Sequence, residues 1–384
     1  MISNDLLREL LQLRHELHAN PELSGQERST SQRLKSFLRD STSARWIEFS
    51  GTNGFALVFE GKQEGPSVLL RADMDALPIQ ELNCFEHRSK QKGVAHKCGH
   101  DGHATILAGV ARQLSQNPVS RGKVILLFQP AEETGEGAEQ VMESKEFKDL
   151  LYDYAFALHN YPGLPLGSVW ARTGGMTAAS SGVIIRLTGK TSHAAEPEQG
   201  ISPLKAMTGL LNWLVELPQS FSFDDFVLVT PVHAQLGEEA FGTSPGEAVV
   251  MATIRSYSNK DMQCLRNLIE LEVEKKASEF GLASFIEYTE SFMATVNDPG
   301  SIDFIKEAAG KVHLSYDELE SSFRWSEDFS CFLQEKPGAL FVLGAGEDHP
   351  KLHNPDYDFP DELIERGVDI FMSLIEAVTK EDLN

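Results

Sequence analysis

Four short apolar runs, each breaking off into side chains that hold protons or metals, constrain this chain more than anything else in it. Ser67-Val68-Leu69-Leu70 runs into Arg71-Ala72-Asp73-Met74-Asp75. Val124-Ile125-Leu126-Leu127-Phe128 runs into Gln129-Pro130-Ala131-Glu132-Glu133. Tyr154-Ala155-Phe156-Ala157-Leu158 ends in His159-Asn160, and Ala339-Leu340-Phe341-Val342-Leu343 reaches Gly344 and a loop with His349 and His353. Continuous apolar runs of this length suit strands covered on both faces. Helical patterns lie between several of them, which predicts an α/β/α domain with a mostly parallel sheet. Ligands bind such sheets beyond the carboxyl ends of the strands, and there every run delivers carboxylates or imidazoles.

The densest chemistry lies between the first two runs. His96-Lys97-Cys98-Gly99-His100-Asp101-Gly102-His103 joins a soft sulfur to borderline imidazoles, a donor set for zinc or a neighbouring divalent transition metal. An extended segment here would point Cys98 and His100 the same way. Ile106, Leu107, Val110, Ala111 and Leu114 then repeat at helical spacing, with Asp101 as the expected N-cap. Two metals sharing a solvent need several ligands and a nearby base. The candidates are Cys98, His100, one of Glu132 and Glu133, His159 and His353. The carboxylate left free can take a proton from water at the metals and return it to a leaving amine. Asp73 and Asp75 stand where carboxylates orient a ligand imidazole, or else form a turn.

The remaining chain frames these residues. An amphipathic helix opens it, with Leu6, Leu10, Leu13 and Leu17 on one stripe, and His15 and His18 near its end read as structural. A second helix spans about residues 30–38. The middle third alternates strand, helix, strand, strand, helix, strand, the order of a ferredoxin-like α+β domain. No run there ends in clustered carboxylates. Gly174-Gly175 and Asp298-Pro299-Gly300 read as hinge or linker signals. The expected division is a catalytic domain over 1–176 and 291–384, with a lid or dimerisation domain inserted at 177–290.

Composition narrows the partners. Thirty-four basic against 57 acidic residues leave a net charge of −23. Nucleic acid wants a basic face, and so does an anionic membrane, so neither is expected as a partner. Cys84, Cys98, Cys264 and Cys331 show no pairing pattern, and no signal peptide or membrane-spanning run is evident. A reducing cytoplasm is the expected compartment.

Several separated motifs, in order, resemble one family. They are Arg71 to Pro78, His96 to His103, Gln129 to Ala138, Leu158-His159-Asn160 and Leu352-His353-Asn354-Pro355. His18 to Glu22, Ser326-Glu327-Asp328-Phe329 and Pro337-Gly338 extend the match. The sequence resembles the amidohydrolase branch of the aminoacylase/carboxypeptidase family of co-catalytic metallopeptidases, which includes hippurate hydrolases, N-acyl-amino-acid amidohydrolases and auxin-conjugate hydrolases. The resemblance implies Cys98, His100, Glu133, His159 and His353 as ligands of two divalent metals, with Glu132 as general base and acid. It also implies a homodimer through the inserted domain. Gly189 to Pro197 resembles the family loop whose histidine, here His193, stabilises the tetrahedral oxyanion. Arg255 resembles a family arginine that meets the substrate carboxylate, though it also reads as a surface charge at a strand end.

The departures lie on the substrate side: Gly242 begins an aligned Gly-Thr-Ser-Pro stretch, Glu198 follows Pro197, and Ser202 stands where an aspartate is usual. The expected activity is therefore metal-dependent cleavage of the amide of an N-acyl amino acid or related small amide. A dipeptidase or a biosynthetic N-acetyl-amino-acid deacetylase is the alternative within the class. Outside it stand a non-catalytic binding protein on this fold and a thiol hydrolase using Cys98. The thiolate leans toward zinc, while carboxylates and imidazoles leave manganese, cobalt and nickel open.

Overall fold

The computed structural model describes residues 2–380. Its chain divides into two compact units: residues 1–176, 295–321 and 327–384 form the first, and 177–294 with 322–326 the second.

The first unit is built on an eight-stranded sheet. Its centre is four neighbouring strands, Arg121–Gln129, Gln63–Asp73, Tyr154–Tyr161 and Gly338–Gly344, all parallel. These are the four apolar runs, and they are buried because helices cover the sheet. Parallel pairing brings their carboxyl ends to one edge: Asp73 pairs with Gln129 and His159 with Val342. Antiparallel strands join beyond the centre, Phe55–Glu60 against Arg121–Gln129 and Val169–Ala171 against Gly338–Gly344.

Helices Asn4–Ala19, His100–Gln116, Pro299–Lys311 and Glu362–Thr379 give their apolar stripes to this core. Leu6, Leu10, Leu13 and Leu17 are all buried. Gly109 is a point of closest approach between helices. A Cβ there would lie 2.6 Å from Val368 Cγ2 and 2.9 Å from Leu10 Cδ1. Among the described residues no helix is long and apolar enough to cross a membrane.

The second unit is an antiparallel four-stranded sheet in the order Val227–Leu236, Glu247–Ser256, Ala179–Thr188, Ala283–Phe292. Helices Leu204–Ser220 and Asn259–Phe280 supply Leu210, Leu214, Leu265, Ile269 and Val273 to its core. With the helices in their chain positions this is the ferredoxin-like arrangement.

Three local expectations change. The helix that follows Cys98 begins at His100, and its N-cap is Gly99 rather than Asp101. Gly99 takes a left-handed φ of 98°, and a Cβ there would collide with the Asn160 side chain, so glycine is demanded twice over. The chain from Cys98 to His100 is accordingly not extended. Asp298-Pro299-Gly300 is no linker but a helix start: the Asp298 side chain accepts from Ser301 N–H, with proline in the first turn. Finally, Ser322–Ser326 belongs to the second unit, where Ala178 N–H donates to Trp325 O at 3.0 Å.

Candidate active site

The four parallel strands and the start of the His100–Gln116 helix converge on one cluster. Ligand-type atoms of Cys98, His100 and His159 lie within 4.8 Å of one another, as do those of Cys98, Glu133 and His353, and those of His100, Glu132 and Glu133. His159 Nε2 stands 3.5 Å from Cys98 Sγ, and Glu133 Oε1 is 3.8 Å from His100 Nε2 and 3.7 Å from His353 Nε2. The six residues named from the sequence for metal and base thus meet at one place, although their positions run from 98 to 353.

Three of these residues are held by neighbours. His159 Nδ1 donates to Asn160 O at 2.7 Å, which directs Nε2 toward Cys98. His100 Nδ1 is 3.1 Å from Asp75 Oδ1, and the other Asp75 oxygen accepts from Glu133 N–H at 3.0 Å and Ser24 Oγ at 2.7 Å. Asp75 therefore joins the two segments that bear His100 and Glu133. Asp73 accepts from Arg71 at 2.6 Å and faces His103 Nδ1 at 2.7 Å. Two non-glycine residues beside the cluster hold left-handed backbone, Ala131 with φ 53° and His353 with φ 65°. Such conformations persist where the surroundings over-determine them, and they gather at functional sites.

The electrostatics call for a cation. Burial pushes the Cys98 thiol well above its usual range, and the charges of Glu133, Glu132 and Asp73 push it further. Burial also raises Glu132 well above the carboxylate range, helped by Glu327, Glu133 and Asp328, and carries Glu133 to about 7 against the opposing charge of His100. His100 goes the other way: burial opposes its charge, but Asp73, Asp75 and Glu133 hold it at about 10. Two buried atoms at the centre, His100 Nε2 and Glu133 Oε1, have no hydrogen-bond partner. Buried polar atoms are rarely left so. A thiol, imidazoles and carboxylates facing one another around such orphans fit divalent metal ions, which deprotonate the thiol and offset the crowded charge.

Behind the cluster lies a second assembly. Arg71 is 1% exposed and donates to Gln129, Asp73, Glu327 and Asp328 at 2.6–2.8 Å. Gln129 and Ala138 N–H also donate to Asp328. Asp73 apart, none of these residues had an assigned role from sequence. The available signal was Arg71 itself, a lone arginine directly after an apolar run, since a buried guanidinium must find carboxylates.

His193 and Arg255 lie in the second unit. His193 is exposed on the two-residue strand Ser192–His193, paired with Thr243. Its Nδ1 accepts from Ala195 N–H at 3.0 Å. Arg255 donates to Arg324 O at 2.8 Å and Ser326 Oγ at 3.0 Å, so its guanidinium is already partly engaged by the Ser322–Ser326 segment.

Residues 69–377 match the pattern of peptidase family M20/M25/M40. The chain belongs to this family. It is 32% identical over 384 aligned residues to the IAA-amino acid hydrolase ILR1-like 4 of Arabidopsis thaliana, covering 97% of this chain and 86% of that one. It is 31% identical to the N-acetyl-L-cysteine deacetylase of Bacillus subtilis, covering 94% and 85%. A solved structure from Bacillus subtilis, described as a dinuclear metal-binding peptidase of the M20 family, superposes with a TM-score of 0.83 at 26% identity, covering 98% of both chains. The family and these hydrolase relatives make the chain a metal-dependent amidohydrolase, and the cluster at the strand ends lies within the matched region.

Proposed function

We propose that this protein is a metal-dependent hydrolase of the amide bond in N-acyl amino acids or related small amides, working with two divalent ions. The observation that carries the reading is the cluster itself: one thiol, imidazoles and paired glutamates around the partnerless His100 Nε2 and Glu133 Oε1. Cys98, His100, Glu133, His159 and His353 would hold the ions. When bound, the metals polarise the scissile carbonyl and lower the pKa of the attacking water.

The chain's own residues do the rest. Glu132, 6% exposed, lies beside Glu133 but is read here as free of metal. Its carboxylate takes the proton from water and delivers it to the leaving nitrogen. Burial in a site that strengthens electrostatics supports that shuttle. His193 would donate to the developing oxyanion, and Arg255 would meet the α-carboxylate. Asp75 holds the His100 imidazole from behind, while Asp73 holds that of His103, which is not among these ligands. The relatives named for IAA-amino acids and for N-acetyl-L-cysteine support an acyl amino acid as substrate.

The metals are zinc or manganese, with cobalt or nickel as further candidates. We read the protein as cytoplasmic, in keeping with four free thiols. We also read it as a homodimer through the second unit. That unit has two edge strands, Val227–Leu236 and Ala283–Phe292, and the first exposes Val232 at 59%. Pairing such edges is a common way to cover them.

The test is a hydrolysis screen over N-acetyl and N-benzoyl amino acids with each metal added back to chelated protein. Glu132→Gln should keep its metal and lose turnover by about a hundred- to ten-thousand-fold. Glu133→Gln should lose metal. No hydrolysis of any member with any metal would reject the reading, and equal loss of metal and rate in Glu132→Gln would reject the base.

A further inference from the structure

A further buried cluster of charges lies beside the ligand-bearing turn, and no step above uses it. His18, on the Asn4–Ala19 helix, has a side chain 0% exposed, as has Asp101, and Glu81 is 3% exposed. The ring stands between the two carboxylates, with Nδ1 2.8 Å from Asp101 Oδ2 and Nε2 3.0 Å from Glu81 Oε1. A neutral imidazole has one N–H and can donate to only one of them. An imidazolium donates to both.

The two carboxylates are attached to the turn that carries Cys98 and His100. Asp101 directly follows His100. Glu81 accepts from Lys97 Nζ at 2.5 Å, and Lys97 directly precedes Cys98. Lys97 Nζ also donates to Tyr357 O at 2.7 Å, while Lys97 O accepts from His353 N–H at 2.8 Å. One ring thus reaches both flanks of the turn and, through Lys97, the loop that bears His353.

We propose that His18 is a positioning residue: a standing imidazolium whose two N–H groups clamp the Lys97–Asp101 turn and set Cys98 and His100 in place before metal enters. The proposal rests on the reading of Cys98 and His100 as ligands. No neutral side chain of similar size does the same work. Asparagine reaches toward Asp101 only and glutamine toward Glu81 only.

The surroundings favour the charged ring. Burial opposes it, but the hydrogen bond and charge of Asp101, the bond to Glu81 and the charge of Asp358 hold its pKa at about 9. The groups facing the ring are Arg14, 3.6 Å from Asp101; Asp358, 3.6 Å from Nδ1; Glu81 and Lys97; and the rings of His87 and His96 at 5.5 and 6.3 Å. Burial lowers both neighbouring histidines, His96 to about 4, so His18 does not share the proton with them.

The first measurement is nitrogen NMR of the histidine rings in the full-length, metal-free protein, with the His18 ring signals assigned by through-bond correlation to the His18 backbone. Near neutral pH both His18 nitrogens should be protonated, and the ring should titrate near 9. A single protonated nitrogen overturns the proposal, and this arm needs no variant to fold well. The second measurement is zinc affinity by competition with a coloured chelator. His18→Gln and His18→Asn should each weaken it about tenfold or more, the usual scale for residues supporting a ligand. Glu133→Gln is run beside them. If it alone weakens zinc binding, the clamp fails and the ligand reading stands. If none of the three does, both fail.

Discussion

Replacing Arg71 by methionine should be among the most damaging single changes available to this protein. The side chain is of similar reach and apolar, so the space stays filled while the charge goes. Four acceptors lose their donor at once: Gln129, Asp73, Glu327 and Asp328, at 2.6–2.8 Å. The three carboxylates are no more than 1% exposed, so water cannot replace the guanidinium. Summing three charge-assisted bonds at about 1.5–3 kcal/mol each would give roughly 5–9 kcal/mol. That sum is too large, because stranded carboxylates can take up protons or rearrange. Removing one partner of a buried ionic group costs about 3–5 kcal/mol, and that is the loss expected here. Urea unfolding followed by circular dichroism measures it. Arg71→Lys should fall between parent and methionine variant, since one ammonium cannot serve so many acceptors in a fixed fork. Arg8→Ala, which breaks the exposed pair with Asp5, is the control and should leave the unfolding midpoint unchanged. A loss below about 1 kcal/mol for Arg71→Met would refute the reasoning, for it would mean the carboxylates do not need their cation.

Two further outcomes concern the proposed metal centre and assembly. Cys98→Ser should weaken metal retention, and in the parent protein metal loading should protect Cys98 from iodoacetamide; identical labelling with and without metal would remove the thiolate from the ligand set. If His193 serves the neighbouring subunit, mixing inactive Glu132→Ala with inactive His193→Ala under subunit exchange should restore part of the activity, since each mixed dimer then holds one complete site. Activity that stays at background, with exchange confirmed independently, would place His193 in its own chain's site or in none.

How much was legible in the sequence depended on the range of the interaction involved. The four central strands were readable because burial on both faces leaves a continuous apolar run, a local signal. The ferredoxin-like order of the second unit was readable for the same reason, from periodicities of two and 3.6. The candidate cluster was readable because its residue types are unusual in combination and sit where strands end. Other features carried no local mark. Gly99, not Asp101, caps the helix that starts at His100, and the Asn160 side chain, far along the chain, fills the space a Cβ there would need. Asp101 looked like a cap, and its carboxylate instead faces His18, 83 residues away. Arg71 meets Glu327 and Asp328 across 256 and 257 residues, and Ser322–Ser326 joins a unit that the chain had already left at Ala294. Residue type and spacing alone determined which groups were available to bind metal and where strands and helices form. Which carboxylate serves which cation was decided only by tertiary structure, because a buried charge is satisfied by whatever the fold brings within about 3 Å, and sequence separation does not enter that distance.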